Sequence, residues 1–344
     1  MRTLIIVLFQ LCWIFSLTAQ DTFSIVAVDP ETGEIGGAGA SCVDGAAQLG
    51  GVQLINKIVP GVGAVNAQAL VCVNPNINLD NAIKRLEEGL TASQVLQWLM
   101  VNDACSAGGF NPEQRQYGIV SVDQSGMIET AGFSGSSNQA FSNHITGPNY
   151  AIQGNILLGP QVIENMEANF NNTEGSLAAK LMAAMQGANI AGADTRCLAR
   201  GTSSTSGFLR VYKPEDDIDE PYLFLNVAEM PFGEEPIDSL QTLFDEWAST
   251  TSTEEQLEEE GSDLIKIFPN PARDMLEVSL DPSVDYQQFV VMDIRGYVIM
   301  ELEARSVGNI FGIDVSLMPE GIYVFQVLTS DNKTYSKKFK KANE

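Results

Sequence analysis

The chain holds one histidine, His144, in the segment HITGPNYAIQGN. An imidazole is the side chain whose ordinary pKa suits proton transfer near neutral pH. Any histidine-dependent triad here has a single base to choose from. A lone histidine is more often a hydrogen-bonded structural residue than a catalyst, yet Asn149, Gln153 and Asn155 follow closely and can line a polar pocket with it. Asn66 and Gln68, in GVGAVNAQ, are amide donors that either stabilise a developing oxyanion or satisfy backbone groups in a buried strand. In GADTR, Asp194 and Arg196 form a loop-organising ion pair or leave Arg196 to clamp a ligand carboxylate. The spacings of Cys42, Cys72, Cys105 and Cys197 fit neither a CxxC redox motif nor a zinc site, so no metal or cofactor is expected.

The stretch TFSIVAVDPETGEIGGAGAS must position much of this chemistry. From Thr22 to Val28, Phe23, Ile25 and Ala27 face one way, and Thr22, Ser24, Val26 and Val28 face the other. Both faces carry apolar residues, which describes a strand buried on both sides. Asp29-Pro30-Glu31-Thr32-Gly33 supplies a turn, and a second strand, Glu34 to Ser41, follows. Its glycines predict close approach of another backbone or a ligand. Strand-like runs cover 53–59 and 61–73. Helices are expected over 78–90 and from the capping box Thr91–Gln94, with a loop over 102–112. A hairpin at Asp123–Gly126, an irregular 134–150 segment, helices after Pro160 and over 177–186, strands near 206–213 and 222–228, and a helix over 236–247 complete the region. Paired blocks of strands and helices give an α+β class with two stacked sheets covered by helices on both outer faces.

The net charge of −25 speaks against nucleic acid as a partner, since phosphates need Lys and Arg. Residues 1–19 have the charge and apolar run of a secretory signal peptide, too short for an anchor, and no other stretch reaches membrane-spanning length. Cys12 leaves with that segment. Four remaining cysteines in an exported chain allow three connectivities, with at least one disulfide expected. A domain over 20–248 is followed by the acidic segment 249–262, expected as a flexible linker in which Glu258–Glu260 are solvated. Asn171-Asn172-Thr173 matches a glycan acceptor pattern. Seven short β runs over 263–344 then argue for a small all-β immunoglobulin-like sandwich.

Two resemblances accompany these readings. TFSIVAVDPETGEIGGAGAS, GVGAVNAQA and HITGPNYAIQGNILLG resemble the domain-of-unknown-function family 1028, grouped with the N-terminal nucleophile (Ntn) hydrolases, from about Thr22 to Trp247. The resemblance implies a four-layer αββα sandwich and an amide-bond hydrolase with Thr22 as nucleophile. It also places Asn66 and Gln68 where related hydrolases shape the oxyanion pocket. Such a nucleophile uses its own α-amine as base. Cleavage after Ala19 would leave Gln20 and Asp21 ahead of Thr22, whose amide nitrogen cannot serve, so the chemistry requires further trimming. Otherwise Thr22 is a strand residue of a silent scaffold that binds a small ligand or peptide. Lys57 is the nearest lysine but out of register with the assisting lysine of proteasome-like relatives. IFPNPARDMLEVSL, MDIRGYVI, LMPEGIYVFQV and KKFKK resemble the C-terminal sorting domain of the type IX secretion system. That implies handling by its machinery, via the periplasm, to the cell surface or medium.

Overall fold

The computed structural model describes residues 22–73, 75–261, 264–293, 297–303, 309–331 and 333–342, with backbone only for 251–261 and 303. The expected signal peptide and the residues before Thr22 lie outside this set. Two compact units divide near Phe244–Asp245.

In the first unit, β1 (Thr22–Val28) and β2 (Ile35–Ser41) form the expected hairpin, with Thr22 opposite Ser41. Asp29 Oδ1 accepts from Glu31 N at 2.8 Å, and Gly33 takes φ 73° to close the turn. Next come β3 (Asn56–Val59), β4 (Gly63–Ala69), α1 (Ile77–Glu87) and α2 (Ala92–Val101). Gln53–Ile55, expected as the start of a strand, instead belong to a 3-10 turn, Val52–Ile55, after two positive-φ glycines, Gly50 and Gly51. Gln94 accepts from Thr91 N at 3.0 Å to cap α2, as the motif predicts. Then follow β5 (Arg115–Val122), β6 (Ile128–Ser134), β7 (Asn143–Thr146) and β8 (Tyr150–Gly154). Strand β7 lies inside the segment expected to be irregular; its NHIT sequence pairs along β8, which supplies the missing order. Helices α3 (Gln161–Asn172) and α4 (Leu177–Gly187), strands β9 (Ser206–Tyr212) and β10 (Leu223–Val227), and α5 (Pro236–Gly261) complete the run.

The strands build an antiparallel six-stranded sheet, β10-β9-β2-β1-β8-β7, and an antiparallel four-stranded sheet, β3-β4-β5-β6. The sheets pack on each other through β1, β2 and β8 against β4 and β5. Helix α4 lies on β1, β2 and β9, while α1 and α2 lie on the far face of the smaller sheet. The class is α+β, as expected. The glycines of β2 mark close approaches: a Cβ at Gly36 would press on Leu181 of α4, and one at Gly37 on Asn56.

Helix α5 corrects the expected flexible linker, because it continues to Gly261. Its TEEQLEEE portion is rich in good helix formers and no proline or glycine interrupts it before Gly261, so polarity alone misidentified it. Ile237 and Leu240 near its start are fully buried.

The second unit contains all seven expected strands: β11 (Ile265–Phe268), β12 (Met275–Leu280), β13 (Tyr286–Asp293), β14 (Val298–Glu303), β15 (Ile310–Asp314), β16 (Gly321–Thr329) and β17 (Thr334–Lys341). They form two small antiparallel sheets, β11-β12-β15 and β14-β13-β16-β17. Leu276 and Val278 of one sheet and Phe289, Phe325 and Phe339 of the other share one core.

Each unit thus buries its own core. A chain ending at Gly261 is expected to keep a single cooperative melt for the first unit while remaining in the periplasm. Circular-dichroism melting and cell fractionation check this; loss of the melt, or appearance of the truncated chain in the medium, contradicts it.

Candidate functional site

The layer between the two large sheets changes character along β1. At one end Val26 and Val28 pack with Ile58, Ala64, Val120 and Ala151 in an apolar cluster. At the other end the same face presents Thr22 and Ser24, and the opposing strands present Asn66, Gln68 and Gln116, all buried. The period-two pattern of β1 imposes this: Phe23 and Ile25 turn to the helical side, leaving the hydroxyls between the sheets.

Gln68 is the centre of the polar end. Its Nε2 donates across the layer to Thr22 O at 2.8 Å and, within its own sheet, to Gln116 Oε1 at 2.7 Å. Its Oε1 accepts from Ser24 Oγ at 2.5 Å. Ser24 Oγ in turn accepts from Gln153 Nε2 at 2.6 Å. Gln116 Nε2 crosses back to Gly154 O at 2.8 Å and also reaches Ser134 Oγ at 2.7 Å. At the sheet end, Thr22 N donates to Asn155 Oδ1 at 3.3 Å, and Asn155 N donates to Thr22 O at 3.1 Å.

Of the residues singled out from sequence, Thr22, Gln68, Gln153 and Asn155 are therefore brought together. His144 stands opposite Gln153 in the β7–β8 register, with Nδ1 3.1 Å from Ser134 Oγ. A chain of bonds through Ser134, Gln116 and Gln68 links it to Thr22. Asn66 is two residues along β4 from Gln68 and accepts from Asn56 Nδ2 at 2.8 Å. Asn149 lies at the far end of β1, donating to Val28 O at 2.6 Å, so it shares no pocket with the others. Lys57 is half-exposed on β3 and pairs with Asp80.

Arg196 sits in the turn Thr195–Arg200 that follows Asp194. Asp194 is fully buried and receives Arg196 Nη2 at 2.7 Å and Arg196 Nε at 3.1 Å. The same carboxylate accepts from Cys42 N at 2.9 Å, one residue past Ser41, the partner of Thr22. An antiparallel bridge joins Leu157 to Asp194, two residues beyond Asn155. The loop-organising ion pair is thus present, and it borders Thr22.

Sequence reading missed a second device on the smaller sheet. Arg115 is fully buried; its Nε meets Asp103 Oδ2 at 2.8 Å, and its Nη2 donates to Cys105 O at 2.9 Å and Ala107 O at 2.7 Å. Leu70 O takes a further bond from Nη1. Each device is accompanied by a disulfide: Cys42–Cys197 beside Asp194 and Arg196, and Cys72–Cys105 beside Arg115. The structural use of the cysteines holds, and both bridges form. On the chain-entropy model, closing loops of 155 and 33 residues contributes about 5 and about 4 kcal/mol. The one signal for Arg115 was an arginine opening the strand RQYGIVSV, which is buried over all but its last residue.

A cleft of about 570 Å³ opens at the opposite end of the smaller sheet, lined by Val62, Leu90, Thr91, Asp123, Met127 and Glu129 among others. Glu129 there is engaged with Thr91 Oγ1 and Ser93 N, 2.9 and 2.8 Å away, so it serves the start of α2.

Fold and site define an exported-type α+β two-sheet domain with a polar contact layer at the start of its first strand, joined to a small β tail. Residues 22–240 match the family of unknown function DUF1028, and the chain belongs to that family. Residues 266–341 match the secretion system C-terminal sorting domain, so the protein is exported to the cell surface or beyond it by the machinery that reads this tail. The crystal structure of SPO2555 from Silicibacter pomeroyi, also of the DUF1028 family, is 22% identical with a TM-score of 0.50, covering 66% of this chain and 88% of that one. CopC from Methylosinus trichosporium OB3b matches at 15% identity and a TM-score of 0.17, over 23% of this chain and 93% of that one, too slight a likeness to bear on the fold. No curated protein matches the chain. Among the described residues, no helix is long and apolar enough to cross a membrane.

Two outcomes are expected. Burial pushes the His144 imidazole below its ordinary value near 6.5. The unfolded chain then binds more protons than the folded one between the depressed and ordinary values, so this residue's contribution to stability falls as pH falls through that window. NMR titration of the single histidine is expected to give a midpoint under 6.5. A Cβ at Gly118 would overlap Gln153 Oε1 in the buried layer. Gly118→Ala is expected to cost about 1–3 kcal/mol in urea unfolding.

Proposed function

We propose that this protein is an exported Ntn-type hydrolase that cleaves an amide bond, with Thr22 as nucleophile once it becomes the N-terminal residue. The layered first unit is read as an Ntn-hydrolase-like αββα sandwich, and the two-sheet tail as an immunoglobulin-like sandwich that serves as a type IX address. The observation that carries the reading is the surroundings of Thr22. It opens a strand buried on both faces, and the side chains that bind its backbone, Gln68 and Asn155, are amides that cannot take a proton. Among the described residues, a chain of hydrogen bonds through Ser134, Gln116 and Gln68 separates Thr22 from the imidazole of His144.

A hydroxyl so placed gains a base if its own nitrogen is an α-amine. The amine takes the Oγ1 proton as Oγ1 attacks the carbonyl carbon, then returns a proton to the leaving amine. Water releases the acyl group from the resulting ester. Asn66 Nδ2 supplies an amide donor on the facing strand, while Gln68, whose two N–H groups bond Thr22 O and Gln116 Oε1, holds the Thr22 backbone in place. Gln153 and Asn155 position the strand end, Arg196 borders it, and His144 and Asn149 are assigned structural bonds. A silent scaffold that binds a small ligand or peptide is the second reading, favoured by the backbone amide that Thr22 retains while any residue precedes it.

The mature N terminus separates the two. Intact-mass measurement and N-terminal sequencing of the secreted protein are expected to find Thr22 first, with Thr22→Ala abolishing turnover of amide substrates. A secreted chain beginning at Gln20 or Asp21 overturns the enzyme reading.

A further inference from the structure

We infer that the layer between the two large sheets binds one internal water molecule, held by Asn66, Asn56 and Gln153. The inference stands whether or not Thr22 is a nucleophile. Along β1 the layer passes from its polar end at Thr22 to its apolar end at Val26 and Val28. Ser24 marks the row between them, with Gln153 directly opposite it on β8. On the smaller sheet the matching row runs Asn56, Asn66, Gly118 across β3, β4 and β5. Among the described residues, Asn66 Nδ2, Asn56 Oδ1 and Gln153 Oε1 are buried with no protein group bonded to them. The residues that carry them are 0%, 2% and 0% exposed.

Each amide is oriented by its other end. Gln153 Nε2 donates to Ser24 O at 3.2 Å and to Ser24 Oγ at 2.6 Å. Ser24 O is a carbonyl and can only accept, which turns the nitrogen of Gln153 toward it and Oε1 away. Asn56 Nδ2 donates to Asn66 Oδ1 at 2.8 Å. A single bond between two primary amides leaves one oxygen and one nitrogen open, whichever way the pair is turned. The strand register places these atoms in one row. A Cβ on Gly118 would lie 1.8 Å from Gln153 Oε1, so that oxygen takes the side-chain place of residue 118. Gly118 pairs directly with Asn66, and Cβ positions so paired are about 5 Å apart. Asn56 meets the Asn66 amide from the opposite side.

The unpaired set names its ligand. It offers one amide N–H group and two carbonyl acceptors. Water is the complement, with an oxygen that accepts and two protons to give. A metal cation would be met by the Asn66 N–H, and an anion by the two carbonyl oxygens. None of the row's residues is ionisable. Space favours a molecule no larger than water, because the room left by Gly37 and Gly118 is already taken by the Asn56 and Gln153 amides. Such a water ties β8 of the larger sheet to β3 and β4 of the smaller, in the row that Gln116 and Gln68 leave to other groups. The Asn66 nitrogen carries two N–H groups, so one remains when the water takes the other.

The test is a high-resolution crystal structure of the full chain, with solution measurements beside it. Density for one water is expected about 2.7–3.2 Å from Asn66 Nδ2, Asn56 Oδ1 and Gln153 Oε1. In the 15N-labelled chain, the Asn66 side-chain amide protons are expected to show cross-relaxation with a long-lived water. Oxygen-17 relaxation dispersion of the solvent is expected to count one long-lived water fewer in Asn66→Leu, whose side chain is of similar size and donates nothing. The first two measurements need no variant, so they decide the matter even where Asn66→Leu fails to fold. Density with Asn66 Nδ2 bonded directly to Gln153 Oε1 or Asn56 Oδ1 overturns the inference. So does an empty row, or a peak whose contacts of about 2.3–2.6 Å mark a cation. An unchanged count of long-lived waters in folded Asn66→Leu overturns it as well.

Discussion

The amide of Gln68 is the joint on which this fold depends. A buried primary amide has two donors and an acceptor to satisfy, and each one left unpaired costs about 1–3 kcal/mol. Gln68 meets the demand by reaching Thr22 O across the layer, Gln116 in its own sheet and Ser24 on the facing strand. An apolar layer resists sliding only by shape. A layer of directed bonds also fixes register, because a shift of one residue would point Thr22 and Ser24 into the helical side and strand every amide. The two sheets are therefore aligned to within a hydrogen bond at the end where Thr22 stands.

That alignment needs support where the strands end, since loops cannot hold a geometry alone. Each sheet has its own brace: Asp194 and Arg196 with Cys42–Cys197 on one, and Asp103 and Arg115 with Cys72–Cys105 on the other. A buried ion pair gives little net stability against an apolar substitute, but removing one partner is costly. Such pairs suit sites where one arrangement must be specified. The disulfides close loops that the ion pairs then orient, and the export tail takes the chain to compartments where disulfides persist.

Much of this was legible in residues taken singly. The alternation in TFSIVAV separated the helical face from the sheet-to-sheet face, and the glycines of β2 announced close approach, which Leu181 and Asn56 supply. The seven strands of the tail stood where their β-branched runs and turn residues put them. The sequence pattern was silent on partners that depend on tertiary contact. Gln116 alternates with Gly118 along β5, but only the facing strand makes one an amide relay and the other a seat for Gln153. Asn149, five residues before Gly154, looked like a member of the Gln153–Asn155 group. An extended strand separates them by about 3.3 Å per residue, enough to put Asn149 at the opposite end of β1. The acidic segment after Trp247 was misread for the converse reason: composition marked it as solvated, and a solvated helix has the same composition.

Neutrality is what links this architecture to chemistry. A buried carboxylate or lysine beside Thr22 would have to be paired to stay charged, and once paired it would be a poor proton acceptor. An amide such as that of Gln68 is satisfied by geometry alone and keeps that geometry at any pH. The same neutrality makes the layer indifferent to the charge of what enters it. Charge is confined to the border, where Arg196 is partly exposed and the Asp194 carboxylate that holds it is wholly buried.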